Sequence, residues 1–78
     1  MEEYTDEQVA RDIFATLDSI GIVERIRLIA ESDRTSDEKD TLARNERHIQ
    51  LKMKKDRFVK GLTKTQADRI SALELPSL

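Results

Sequence analysis

At 78 residues, with no cysteine and a single histidine, the chain has room for one small domain and excludes a disulfide framework, a thiolate metal site and an imidazole cluster. A core of this size supplies only about 3–5 kcal/mol, so helix packing or a partner chain has to contribute. The net charge of −2 is unevenly spread: residues 1–40 hold twelve acids against five bases, and residues 41–64 hold eight bases against two acids. Either the two halves attract each other within the fold, or one of them meets an oppositely charged partner.

Three segments write helix starts. Thr5-Asp6-Glu7-Gln8, Thr35-Ser36-Asp37-Glu38 and Thr63-Lys64-Thr65-Gln66 each place a capping hydroxyl three residues before a Glu or Gln, the spacing at which cap and side chain satisfy each other's orphan amides. The first helix is expected from about Asp6 to Ile20, with Val9, Ile13, Leu17 and Ile20 forming an apolar face flanked by Ala10 and Phe14. Tyr4 stands before the cap and Val9 at the fourth helical position, as in a hydrophobic staple. Gly21 is read as the helix stop, with Ile22 folding back on Leu17.

Ile22 to Ala30 is rich in β-branched residues, yet Ile22, Ile26, Ile29 and Ala30 also make a helical stripe. A second helix is the expectation, with a strand paired across a dimer as the alternative. Glu31 to Arg34 reads as a turn. A long central helix then spans about 36–60, carrying Leu42, Ile49 and Met53 on one side and Leu51, Phe58 and Leu62 on roughly the other. Gly61 ends it, Thr63 caps a last helix faced by Ala67, Ile70 and Leu73, and Pro76 stops that helix. The fold expected is all-α: a bundle of three to four helices in one domain over residues 1–78, frayed at 1–5 and 75–78.

Chemistry is hard to place on this pattern. His48 lies between Arg47 and Ile49 with no partner carboxylate or nucleophile marked for it. Asp6 with Glu7, and Asp37 with Glu38, sit where a helix macrodipole favours acids, so they read as structural. The chain has no glycine-rich phosphate loop, no nucleophile elbow and no metal-ligand spacing. The expectation is a protein that is not an enzyme, with no cofactor, no metal and no small-molecule substrate.

Two surfaces remain as candidates. The stripe of Leu51, Phe58 and Leu62 is a candidate partner interface, because a chain this small does not easily cover both sides of a long helix. The basic run that includes Arg44, Arg47, Lys52 and Lys55 is a candidate phosphate-binding face, with Asn45 or Gln50 available to base edges. Lys52, Lys54 and Lys55 alone cover most of a helix circumference, which argues against groove reading, and Phe58 is the one aromatic residue in that segment, which leaves no stacking platform.

In size and composition the chain resembles the small, charged, helical proteins that bacteria and their phages encode to bind another protein. The reading is therefore a small assembly or regulatory factor that docks on a protein partner or on its own copy. A nucleic-acid-binding module using the basic helix 44–64 is the alternative. No apolar run approaches the ~20 residues of a membrane span. The opening Met1-Glu2-Glu3 is acidic and leads into no apolar stretch, which argues against a signal peptide and makes the cytoplasm the expected location.

Overall fold

The computed structural model describes residues 3–76 and is all-α, with no strand among the described residues. Helix α1 runs Asp6–Arg27, a 3-10 turn covers Glu31–Asp33, and helices α2, α3 and α4 run Ser36–Met53, Asp56–Lys60 and Lys64–Ala72. Packing is chiefly α1 along α2, with α3 and α4 closing the far side.

The three capping boxes form as read. Thr5, Thr35 and Thr63 accept from the backbone amides of Gln8, Glu38 and Gln66 at 3.2, 3.1 and 3.2 Å. The Gln8, Glu38 and Gln66 side chains accept in turn from the threonine amides at 2.8, 2.9 and 2.9 Å. Tyr4, ahead of the first cap, sends its hydroxyl to Asp12 and carries the Lys55 ammonium 4.5 Å from its ring centroid. Leu75 packs against the core. Tyr4 and Leu75 lie in the two end segments expected to fray, of which residues 1–2 and 77–78 lie outside the described part.

Gly21 does not end the first helix, and the segment from Ile22 forms no helix of its own: α1 passes through both to Arg27. An interior glycine costs only about 1 kcal/mol relative to alanine. Continuing the helix buries Val23 and Ile26 in register with Val9, Thr16 and Ile20, and each such aliphatic side chain contributes roughly 1.5–3 kcal/mol on burial. The stop comes at the C-cap Leu28, where Arg34 Nε reaches back to the carbonyls of Ile26 and Ile29 at 3.3 and 3.2 Å. A cation on the last carbonyls of a helix suits both its dipole and its unpaired acceptors.

The long central helix over 36–60 is also corrected. It breaks at Lys54 and Lys55, the latter extended at φ −93 and ψ 112, and α3 restarts without a side-chain cap. On one unbroken helix Phe58 lies roughly opposite Ile49. The break swings it inward, so that both residues are fully buried at 0% exposure. The longest helix is instead α1, with 22 residues.

The main core gathers Ile20, Val23, Ile49, Ile70 and Leu73, with Leu17, Leu42, Met53, Leu62 and Leu75 packed around it. Arg27 fastens three helices at its edge, donating to the Leu73 carbonyl and to Glu46 Oε2 at 2.8 Å. Gly61 ends α3 with an ordinary right-handed backbone at φ −82. A β-carbon there would lie 3.0 Å from Val9 Cγ1 and 3.1 Å from Ile13 Cδ1, so glycine lets the α3–α4 corner approach α1. Glu74 is the one non-glycine residue at positive φ among those described, at 47°, where the chain leaves α4 before Pro76.

Candidate interaction surface

Part of the basic segment, Lys52, Lys55 and Arg57, is turned back on the acidic half. Lys52 and Lys55 both point at Asp12, at 3.0 and 3.8 Å. Arg57 pairs with Asp6 and donates to the Tyr4 carbonyl at 2.5 Å. Outside that segment, Arg27 meets Glu46 at 2.8 Å and Arg69 meets Glu24 at 2.5 Å. The uneven charge is thus partly consumed within the fold.

Around Asp12 these contacts form a polar knot between α1 and the end of α2. Burial works to raise the Asp12 carboxyl, but the Tyr4 hydroxyl, Lys52 and Lys55 outweigh it and hold the group below its ordinary range. The Tyr4 hydroxyl is pushed up to about 12, by burial first and by Asp12 second. One turn along, Thr16 Oγ1, 1% exposed, lies 3.4 Å from His48 Nε2. His48 is held below its usual value by burial and by Lys52, against the opposite pull of Asp12. Thr16 is buried, so its hydroxyl is not open to solvent, and the knot reads as packing polarity satisfied in pairs.

Of the four residues proposed for phosphate contact, only Arg44 and Arg47 are exposed and without a carboxylate within ion-pair distance among the described residues. Lys52 and Lys55 are engaged with Asp12. Neither amide suggested for base edges is presented. Asn45 Nδ2 donates to the Thr41 carbonyl at 2.7 Å, and Gln50 Nε2 is buried without an acceptor beside the shallow groove of Met53, Ile70 and Leu75.

The proposed interface stripe is dispersed. Phe58 is buried within this chain, Leu62 is half-buried against the main core, and only Leu51 stands out, 46% exposed on the outer side of α2. Leu51 and Phe58 no longer share a helix, because of the break at Lys54 and Lys55.

The exposed apolar surface lies elsewhere. Phe14 is 74% exposed and Leu28 is 88% exposed, both on α1 or its C-cap. Ala10 and Gly21 lie between or beside them. At 100° per residue the four positions fall within about 40° of one another, roughly 130° round from the face that enters the core. Nothing comes within 4 Å of a β-carbon built on Gly21, so this side of α1 is uncovered. The sequence carries the signal as spacings of four and seven from Ala10 through Phe14, Gly21 and Leu28, hidden while Gly21 is read as a stop.

Among the described residues no helix is long and apolar enough to cross a membrane, and no three metal-ligating side chains come together. No protein-family model matches the chain, and comparison with curated proteins and with solved structures returns no match.

Proposed function

We propose that this chain is a non-enzymatic interaction protein, a small assembly or regulatory factor that docks through the outer face of α1. The supporting observation is the pairing of Phe14 and Leu28, two large apolar side chains left 74% and 88% exposed on one line of a well-packed helix. Scattered single apolar residues on a surface are ordinary, but aligned aromatic and aliphatic ones on one helix face are the anchors of helix docking. The small residues Ala10 and Gly21 leave room for a neighbour to come close. Partners of this kind are held by one or two such anchors surrounded by water-excluding contacts.

A photoreactive side chain placed at position 14 or 28, in cells that produce the chain, tests the reading. Adducts with a protein are expected from both positions and not from position 40, on the exposed side of α2. Equal labelling at all three, or none at 14 and 28, refutes docking through this face.

The alternative, nucleic-acid binding by the basic segment 44–64, rests on Arg44 and Arg47, with Lys54, Lys60 and Lys64 also exposed and outside the ion pairs among the described residues. Five phosphate contacts would give a slope of about −4.5 on a double-logarithmic plot, of which Arg44 and Arg47 account for about −2. A gel shift that weakens steeply with salt, and whose slope Arg44→Ala with Arg47→Ala makes shallower by about 2, favours that alternative.

A further inference from the structure

We propose that the occupant of the α1 outer face is a second copy of this chain, laid antiparallel across a two-fold axis at Gly21; this rests on the reading that the face docks a protein. Phe14 and Leu28 lie seven residues to either side of Gly21. A two-fold axis through Gly21 therefore sets Phe14 of each copy on Leu28 of the other, so that both anchors are covered at once by the same operation. At the crossing itself the two chains present Gly21 to Gly21, where no side chain holds the backbones apart and the space is open.

Charge complementarity supports this arrangement. Asp18 and Arg25 are both exposed on one flank of the stripe. The axis brings Asp18 of one copy to within one residue of register with Arg25 of the other, and symmetry makes the pair twice. A parallel, in-register pair of α1 helices turns this flank to the opposite flank of the partner, where Leu17 and Glu24 lie, and so forms no Asp18–Arg25 pair. The other flank is occupied within the chain, where Glu24 is held by Arg69, and so it leaves the crossing free of an unpaired acid. The contact is one helix pair long, about 27 Å from Ala10 to Leu28, and belongs with small, reversible interfaces.

Sedimentation equilibrium over about 1 μM to 1 mM, the span of weak association, decides the matter together with circular dichroism to verify folding. The natural chain is expected to double in mass with concentration. Phe14→Glu, at an exposed site, keeps its helicity and stays monomeric. Asp18→Arg and Arg25→Asp are each expected to weaken self-association roughly tenfold, since each places like charges together twice. Mixing the two single variants, or combining both changes in one chain, restores it.

Because the chain lacks cysteine, orientation is read by single-cysteine variants. Gly21→Cys cross-links to itself, Phe14→Cys does not, and Phe14→Cys cross-links to Leu28→Cys. A natural chain that stays monomeric throughout overturns the second copy as occupant, while a different protein captured at position 14 would still uphold the docking reading. A dimer untouched by Phe14→Glu overturns this face. Self-linking of Phe14→Cys as efficient as that of Gly21→Cys overturns the antiparallel arrangement.

Discussion

Gly21→Ala is expected to make the isolated chain more stable, and the size of the gain follows from three observations. Gly21 lies inside α1 with helical backbone and no positive φ, so alanine adopts its conformation without strain. A β-carbon there meets nothing within 4 Å, so no packing is lost. What remains is the helix propensity difference of about 0.8–1 kcal/mol, most of which reflects the greater freedom of glycine in the unfolded chain. In a domain of this size that raises the melting temperature by about 4–8 °C. Against a total stability on the order of 4–12 kcal/mol, the change is readily measured. Thermal unfolding followed by circular dichroism, at low concentration so that association does not contribute, is the assay. Gly61→Ala is the internal control with the opposite sign. Its β-carbon, 3.0 and 3.1 Å from Val9 and Ile13, forces the α3–α4 corner away from α1 and is expected to cost on the order of 1 kcal/mol. If Gly21→Ala lowers the melting temperature, the chain does break at Gly21 and the continuous α1 helix is wrong.

Phe58→Ala, at a fully buried site, is expected to cost about 3–5 kcal/mol and to leave much of the chain unfolded at every concentration; a folded monomer with full helicity would contradict its place in the core. Thr5→Ala and Thr63→Ala each remove a reciprocal cap and are expected to lose about 1 kcal/mol in denaturant titration, whereas no loss at either would mean that the caps are not formed. Because folding lowers the His48 pKa, the unfolded chain takes up the proton first as pH falls. His48 therefore stabilises fully above its unfolded value near 6.5, and that contribution declines as pH drops from there through the lower folded value. His48→Gln should flatten the decline in that window, and a slope unchanged by the substitution would remove His48 as its source. Glu74 occupies the left-handed region, so Glu74→Gly should raise stability by up to about 1 kcal/mol; a measured loss would show that its side chain makes a contact worth more than the strain.

The sequence alone determined the helical class and the three helix starts, because a capping box is closed by residues three apart and needs no tertiary partner. Thr5, Thr35 and Thr63 illustrate this directly. It also determined that acidic and basic halves exist, though not which ions meet. Tertiary structure decided where helices continue and where they break. Gly21 carries a local stop signal that the burial of Val23 and Ile26 overrides, and Lys54–Lys55 carries no stop signal at all yet breaks so that Phe58 and Ile49 are both buried. Those two decisions also moved the candidate surface. With the helix broken, the stripe of Leu51, Phe58 and Leu62 dissolves into core and remainder. With α1 continuous, Phe14 and Leu28 come into line across Gly21. A glycine's cost is local and small, while the core it serves is assembled from residues tens of positions apart, and only their packing settles which of the two wins.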